Sequence, residues 1–405
     1  MTRNDDQGDG ERSEGAVTTS VGSMEISRRG LIRRAGLLAG AATVAGTGLA
    51  GPFWKNSAAV AGHGAVRTPA DFETHARMIM AWPYKEQNWT ANILPGAQRE
   101  WAGLANNISQ FEPVTAMVAP GQEAAARAAL GARTKVNLVT MAYDNDWTRD
   151  YVGPSVFIGG KQTLTDWYYN CYGMKFGSCE AHSQLDDAAN APLSQYLGLA
   201  RRDLNYFVLE GGAVVFDGQG TCFTTESVML NSNRNPGYTK QQTEDLLKHE
   251  FGCSKVIWLV GDPADAITDG HVDMIAQFVG APTATQGAKV LHLTGGEPGS
   301  ATYAALQENK RILQTSTDAK GRPFRLYEFN ILPPTATRTG HHSYVNVTCT
   351  NNNGMMVPTL GAEPDAQALA LLRSLFPEKN VVGNPMPNHS WAGGGAHCIT
   401  QAIYA

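Results

Sequence analysis

The residues whose types best suit catalysis lie near the end of the sequence, where three glycines lead directly into His397 and Cys398. Glycine has no Cβ and therefore fits where the backbone turns tightly or approaches a ligand closely. A cysteine behind such a run could be presented to a pocket as a nucleophile. The alternative interpretation is a small buried hydrophobic side chain, which is the more common role of a free cysteine. A nucleophilic thiolate would need a cation, a dipole or a bound cationic ligand to lower its pKa.

His271 is the histidine best placed to work with such a thiol, because it lies between Asp269 and Asp273. Residues 271–273 are predicted to lie in a strand, where the side-chain period of two would turn His271 and Asp273 to the same face. Histidine is the usual proton shuttle near neutral pH. A histidine that only satisfies a loop carboxylate is the competing interpretation.

Two further carboxylates stand at turns. Asp150 follows Arg149 beside a proline-fixed turn, and Glu210 ends a predicted strand before Gly211 and Gly212. Each has a simpler interpretation, as a solvated loop ion pair or as the residue that closes a turn. Several carboxylates in one pocket would favour a cationic substrate, and a planar guanidinium can donate paired hydrogen bonds to them.

The sequence carries no metal-binding motif. The six cysteines are scattered without a CxxC pair, which argues against a structural zinc site. His341 and His342 are adjacent, and adjacent residues of a strand point to opposite faces. We therefore expect neither a catalytic metal nor another cofactor.

The elements that must position these residues alternate between strand and helix, which favours the α/β class. Similar strand–helix–strand units recur at spacings of some tens of residues and suggest a repeat architecture, although no clean sequence repeat accompanies them. Predicted strands cover residues 77–83, 114–118, 136–141, 155–158, 255–259, 272–279, 324–331 and 344–349, with two or three more in 205–225. Predicted helices cover residues 95–110, 122–130, 240–251, 301–315 and 364–376.

Composition limits the function classes. The chain has 405 residues, of which 42% are hydrophobic and 17% charged, as expected for a globular protein with a large core. The formal net charge of −5 gives no reason to expect nucleic acid or an anionic membrane surface as a partner. The oligomeric state stays open, with a homodimer as one option.

The N-terminal part predicts export. Residues 1–25 are polar and acidic and are expected to be disordered. Arg28 and Arg29 precede a short apolar run at residues 35–50, which resembles a twin-arginine signal, with a cleavage site after Ala61. A membrane anchor and an ordinary helix are the alternatives. We therefore divide the chain into a disordered, signal-bearing segment, 1–61, and one catalytic domain, 62–405, exported to the periplasm, cell wall or medium and free of the membrane after cleavage.

Five motifs, in this order, resemble the agmatine deiminase family, a relative of bacterial-type peptidylarginine deiminases in the pentein superfamily. They cover nearly all of residues 70–405 and comprise residues 147–154, residues 209–212 with 217–220, residues 225–236, residues 269–273 and residues 393–401. The resemblance implies the pentein fold, an α/β propeller of five blades with the active site in its central channel. It also implies guanidine-modifying chemistry without a cofactor.

The resemblance assigns roles to individual residues. It implies that Cys398 is the nucleophile, that His271 is the general acid and base, and that Glu210 supports His271. Asp150 and Asp273 would hold the guanidinium nitrogens of a small cationic substrate. The preferred substrate is agmatine, with peptidyl-arginine or another guanidino compound as the alternative and a non-catalytic ligand-binding protein as a third reading.

Aromatic and acidic residues near the site carry the preference for agmatine over arginine. Trp82, Trp89 and Asp269, with Tyr84 and Glu86, would face the ammonium of agmatine through cation–π and ionic contacts. The alternative is that the aromatic side chains only pack the loop onto the core. Arg149 could meet the carboxylate of arginine, but it need not face the pocket, because neighbouring side chains usually point apart.

Overall fold

A computed structural model describes residues 65–85, 89–132, 134–175, 183–262, 265–331, 342–361 and 363–405. The predicted disordered segment and export signal lie outside the described residues, as do Glu86 and His341. Within the described ranges, no helix combines the length and apolar character that crossing a membrane requires.

Short strands make up about half of the regular structure of the described residues. In chain order they are β1 Val66–Arg67, β2 His75–Ala81, β3 Val114–Val118, β4 Val136–Thr140, β5 Ser155–Ile158, β6 Lys161–Tyr168, β7 Ala200–Val208, β8 Val214–Phe216, β9 Thr221–Thr225, β10 Lys255–Leu259, β11 Ala276–Gly280, β12 Lys289–Leu293, β13 Arg325–Phe329, β14 Thr348–Thr350, β15 Gly354–Thr359, β16 Asn380–Pro385 and β17 Gln401–Tyr404.

Helices lie between these strands. In chain order they are α1 Leu94–Ile108, α2 Glu123–Leu130, α3 Thr148–Tyr151, α4 Cys171–Met174, α5 Gln184–Asp187, α6 Asn190–Leu197, α7 Glu226–Met229, α8 Lys240–Phe251, α9 Ala301–Thr315, α10 Pro364–Leu375 and α11 Pro387–Trp391. Two short 3-10 turns, Gly211–Ala213 and Val272–Met274, come directly before β8 and β11.

The strands form five sheets that share one plan. Their strand orders are β17-β2-β3-β4, β1-β5-β6-β7, β8-β9-β10, β11-β12-β13 and β14-β15-β16. Each sheet contains an antiparallel pair followed by a parallel neighbour, for example β8 with β9 and then β9 with β10. A helix connects the two parallel strands each time: α1, α6, α8, α9 or α10. The predicted repeat architecture of the α/β class is confirmed, with five strand–strand–helix–strand units.

Local sequence explains where the helices begin and end. Helix α8 starts at a capping box, in which the Thr239 side chain accepts from the Gln242 backbone and Gln242 accepts from that of Thr239. It ends at Gly252, whose φ of 66° is left-handed. Helix α1 buries Trp101, Leu104 and Ile108, which recur at helical spacing against the first sheet. Each such buried side chain stabilises the fold by roughly 1.5–3 kcal/mol.

Two predicted strands were wrong in part. Residues 272–274 form a 3-10 turn, and strand β11 begins only at Ala276. Residues 344–347 form turns, and strand β14 begins at Thr348. Both runs contain buried apolar residues, such as Val272 and Val345, so a burial pattern alone could not separate an irregular turn from a strand.

Candidate active site

Five predicted catalytic residues lie close together, and three of them, Asp150, His271 and Asp273, meet around one glycine. They come from separate segments: Asp150 from α3, Glu210 from the end of β7, His271 and Asp273 from the loop before β11, and Cys398 from the turn before β17. A Cβ on Gly212 would lie 2.5 Å from His271 Nδ1, 2.8 Å from Asp150 Oδ1 and 3.1 Å from Asp273 Oδ2. No side chain fits there, so Gly212 keeps the space between these groups open.

Cys398 is a free thiol that is 4% exposed. Its Sγ lies 3.5 Å from Asn346 Oδ1 and 3.8 Å from Asp273 Oδ2. Burial, together with the charges of Asp273 and Asp150, raises its pKa well above the ordinary value for a thiol. The thiol is therefore protonated at neutral pH, and a cation nearby would be needed to release the proton.

The glycine run before Cys398 allows close packing. A Cβ on Gly394 would lie 3.0 Å from Cys398 Cβ and 2.4 Å from Trp147 Cζ3. A Cβ on Gly395 would lie 2.8 Å from Asn346 Oδ1. The prediction that these glycines permit a close approach at the cysteine is confirmed.

His271 is fully buried, yet neither ring nitrogen has a hydrogen-bond partner among the described residues. Its Nδ1 lies 3.6 Å from Asp150 Oδ1, and its Nε2 lies 4.0 Å from Glu210 Oε2. Catalytic hydrogen bonds are often this long before a substrate binds. Both nitrogens are thus available to a ligand or to water. His271 and Asp273 do share a face, but through the turn at 272–274 and not through the predicted strand.

Asp150 is buried and held by two hydrogen bonds. Tyr172 donates its hydroxyl to Asp150 Oδ2 at 2.8 Å, and the Gly212 backbone donates to Oδ1 at 3.1 Å. Burial raises the pKa of Asp150 to about 6; His271 opposes this rise, while the charges of Asp273 and Glu210 add to it. The site has an excess of buried negative charge, which a bound cation would relieve.

Asp273 uses only one of its two oxygens within the protein. Its Oδ2 accepts a hydrogen bond from His397 Nδ1 at 2.7 Å. Its Oδ1 is buried and has no partner among the described residues. An acceptor of this kind can take an N–H from a guanidinium group.

Glu210 is fixed by an ion pair with Arg234, and Arg234 in turn contacts Asp269. Arg234 donates to Glu210 Oε1 at 2.7 Å, and its Nη1 lies 2.7 Å from Asp269 Oδ2. Asp269 also pairs with Lys175 at 2.9 Å. The structure therefore places Asp269 behind Glu210, against two cations, and does not bring it to the space around Gly212.

The predicted aromatic contacts fall into two groups. Trp82 is 1% exposed and packs edge-on against Trp101 in the core, so the structure does not bring it to the site. Tyr84 donates its hydroxyl to the Tyr143 carbonyl at 2.7 Å. Trp89 stacks on Trp147 with ring centroids 5.9 Å apart, and Trp147 contacts the glycine run. Only Trp89 among them is linked to the cysteine loop.

Arg149 faces away from Asp150. Its Nη1 lies 3.5 Å from Asp71 Oδ1, and its Nε donates to the His397 carbonyl at 3.4 Å. The expectation that neighbours 149 and 150 point apart is confirmed. Arg149 is thus occupied and is not free to bind the carboxylate of a substrate.

The sequence reasoning missed four contributors. Arg234 lies inside the third motif, and His397 stands next to the cysteine, so both were visible without an assigned role. Asn346 and Tyr172 gave no signal. The backbone of Tyr172 has a φ of 57°, an unusual value that sequence does not reveal. Cys171, its neighbour, is disulfide-bonded.

A metal centre finds no support in the described residues, since no three His, Cys, Asp or Glu side chains there cluster in a way that could hold an ion. The chemistry available to the site is that of a thiol, an imidazole and buried carboxylates. Together they can bind a planar cation and attack its carbon.

The chain is similar to known deiminases over most of its length. The sequence model of the Porphyromonas-type peptidyl-arginine deiminase family matches residues 67–403. The agmatine deiminase of Stutzerimonas stutzeri is 34% identical over 355 residues, which cover 82% of this chain and 94% of that protein. The agmatine deiminase of Ectopseudomonas mendocina is 33% identical over 356 residues, covering 82% and 94%.

Solved structures give the same result. The agmatine deiminase of Enterococcus faecalis superposes with a TM-score of 0.75 at 29% identity, covering 84% of this chain and 96% of that one. The C. jejuni agmatine deiminase, at 22% identity, shares the fold with a TM-score of 0.72. The five repeated sheets, the convergent site and these similarities together show that the chain belongs to the Porphyromonas-type peptidyl-arginine deiminase family of the pentein superfamily, in the branch of the agmatine deiminases.

Proposed function

We propose that the protein is a hydrolase that converts agmatine and water to N-carbamoylputrescine and ammonia. One observation carries the proposal: His271, Asp150 and Asp273 converge on the position that a Cβ of Gly212 would take, and Cys398 Sγ lies 3.8 Å from Asp273 Oδ2. The space around that position is lined by two carboxylates suited to a guanidinium, and the thiol lies beside one of them. The similarity to agmatine deiminases supports agmatine as the compound that enters.

Binding comes first, and it prepares the nucleophile. The guanidinium donates to Asp273 Oδ1, which has no partner among the described residues, and to Asp150. Its positive charge offsets the carboxylates whose fields, with burial, raise the pKa of Cys398. The thiol then passes its proton to His271 and becomes a thiolate. The substrate itself is the cation that this cysteine requires.

The chemistry then proceeds in two halves. The Cys398 sulfur bonds to the guanidinium carbon, the protonated His271 gives its proton to a terminal nitrogen, and that C–N bond breaks to release ammonia. A cationic thiouronium remains on Cys398. His271 next takes a proton from water, whose oxygen bonds to the same carbon, and the C–S bond breaks to return the cysteine. The proton left over leaves with ammonia as ammonium.

The competing proposal is deimination of arginine or of peptidyl-arginine. The name of the matched family favours it. Arg149 would be the natural partner for an arginine carboxylate, but it is paired with Asp71. Lys175 is paired with Asp269. Neither is free to compensate a carboxylate, whereas agmatine carries none.

Ammonia release by the purified protein tests the choice. We expect kcat/KM for agmatine to exceed that for arginine and for a peptidyl-arginine by at least about a hundredfold, which is roughly 2.7 kcal/mol of transition-state discrimination. The Cys398→Ser variant serves as the blank. Equal rates on agmatine and arginine would reject agmatine as the specific substrate. Faster citrulline formation in a peptide would assign the alternative.

Export is a separate proposal that rests on Arg28 and Arg29, outside the described residues. The twin-arginine pathway reads this pair as an address. Replacing both by lysine is expected to keep the precursor inside the cell, as followed by fractionation and immunoblotting. Normal export of the double variant would reject this route.

A further inference from the structure

His397 joins the substrate site to a second carboxylate outside it. Its ring is fully buried between two acids. Nδ1 lies 2.7 Å from Asp273 Oδ2, and Nε2 lies 2.8 Å from Asp71 Oδ2. Its backbone N–H donates to Asn346 Oδ1 at 3.1 Å. The imidazole is thus fixed at both ring nitrogens, and the backbone that carries it is fixed by Asn346.

The two short contacts define the protonation of the ring. An ionised carboxylate can only accept, so each ring nitrogen must donate, which is possible only in an imidazolium. The pKa of His397 is raised accordingly: burial and the Arg149 guanidinium lower it, and the contacts with Asp71 and Asp273 outweigh them. Charged hydrogen bonds of this kind are about twice as strong as neutral ones.

Asp71 provides the anchor at the far end. Its Oδ1 accepts from the Tyr404 hydroxyl at 3.2 Å and lies 3.5 Å from Arg149 Nη1. Tyr404 belongs to β17, and Arg149 to the short helix that carries Asp150. The position of the His397 ring is therefore set by Asp71, Tyr404 and Arg149, which belong to three segments of the chain.

The contact with His397 determines the orientation of the Asp273 carboxylate. Rotation of this carboxylate would carry Oδ2 away from His397, so the contact at 2.7 Å holds one orientation. In that orientation Oδ1 has no partner among the described residues. Left without His397, the carboxylate could turn, and neither oxygen would be reserved for a ligand.

We infer that His397 is a positioning residue for deimination, which clamps one oxygen of Asp273, with Asp71 on the other side of the ring, and so fixes the orientation in which the Asp273 carboxylate meets the substrate guanidinium. This inference rests on the proposed function, because it names how that site holds its substrate. His397 touches no reacting atom in this role. The clamp acts on binding of the guanidinium head, whatever the rest of the substrate is.

Two amide substitutions separate the two contacts of the ring. In His397→Asn the amide nitrogen is bonded to Cγ, as Nδ1 is, so a donor to Asp273 remains and the contact with Asp71 is lost. In His397→Gln the amide nitrogen lies one atom further, as Nε2 does, so the donor to Asp71 remains and the contact with Asp273 is lost. Both variants are neutral and similar in size, so they control for charge and packing.

Binding is measured by calorimetry with agmatine and with arginine amide, each variant being combined with Cys398→Ser to prevent turnover. We expect His397→Gln to weaken binding of both compounds at least about tenfold and His397→Asn by less than about threefold, where tenfold corresponds to about 1.4 kcal/mol. In the enzymes with Cys398 intact, KM should rise by more than kcat falls. Thermal unfolding checks that both variants fold.

Equal weakening by both variants, or the larger loss in His397→Asn, would overturn the inference. If His397→Gln fails to fold, His397→Leu, which removes both ring donors, replaces it, and an unchanged affinity in that variant would equally overturn the inference. Failure of the proposed function would give a different result. In that case the unmodified enzyme would release no ammonia from agmatine, while the two amide variants would still differ in their affinity for arginine amide.

Discussion

Replacing Asp150 by asparagine should inactivate the enzyme and at the same time stabilise it. Asparagine can still accept the hydrogen bond that the Gly212 backbone donates at 3.1 Å, and its amide can still reach the Tyr172 hydroxyl. It removes a charge that the empty site does not neutralise. Activity is lost because one of the two carboxylates for the guanidinium is gone.

The magnitude follows from the pKa of Asp150, which rises from an ordinary 3.8 to about 6 in the folded protein. A shift of this size corresponds to about 3 kcal/mol. Because the folded pKa is the higher one, ionisation opposes folding: the full cost applies above pH 6, shrinks as pH falls towards 3.8, and is absent below that. The asparagine variant escapes this cost, so its advantage should grow with pH from about 4 to 6 and then stay constant.

Urea unfolding at a series of pH values measures the difference. We expect Asp150→Asn to be about 2–3 kcal/mol more stable than the unmodified protein at pH 8, and close to it at pH 4. Asp146→Asn is the matched control, since Asp146 is also fully buried but lies 3.0 Å from His389 Nε2. Below pH 6.5 it should destabilise the protein by about 3 kcal/mol, because it leaves a buried cation with one partner fewer. A stability gain at Asp150 that does not change with pH would refute the reasoning.

Three further outcomes are expected. Cys398→Ser should reduce ammonia release to less than about a hundredth while leaving the unfolding transition in place, and a higher residual rate would remove Cys398 from the role of nucleophile. On the acid side, kcat/KM for agmatine should fall about tenfold for each pH unit below the Asp150 pKa of about 6, and a flat profile down to pH 5 would contradict ionised Asp150 as a substrate ligand. The loss of stability caused by Asp146→Asn should be complete below pH 6.5 and should fade as pH rises through 9, because the contacts with Asp146 and Glu100 outweigh burial and raise the pKa of His389 from 6.5 to about 9. Unfolding at pH 6 and at pH 10 measures this, and equal losses of stability at the two pH values would contradict it.

Local pattern was enough to predict much of the fold. Strand β3 could be predicted because its residues, Val114–Val118, are apolar or small and are all buried. Helix α8 could be bounded because Thr239 and Gly252 mark its ends. The turn at 272–274 was mistaken for a strand, because the left-handed backbone of Asp269 and Gly270, which redirects the chain there, leaves no trace in the hydrophobic pattern.

The catalytic roles of the site residues could be predicted only from the family resemblance. The contacts that support those residues could not be predicted even from the resemblance. Tyr172 and Asp150 are 22 residues apart, Asn346 and Cys398 are 52 apart, and His397 is 326 residues from Asp71. Contacts at such separations arise only when sheets assemble, so no local spacing encodes them. Trp82 was predicted to contact the substrate cation because of its residue type, but in the structure it packs against Trp101 in the core.

The pairing of β17 with β2 sets the order in which the enzyme can mature. Gln401 lies opposite Ile79, so this ladder joins segments more than 300 residues apart in sequence and must form late. Cys398 stands just before β17 and is held by the same docking event. A chain in which the other four sheets are finished but this ladder has not formed still carries an unplaced thiol. Acquisition of activity should therefore lag behind most of the secondary structure during refolding, and the delay would report the closing of the first sheet.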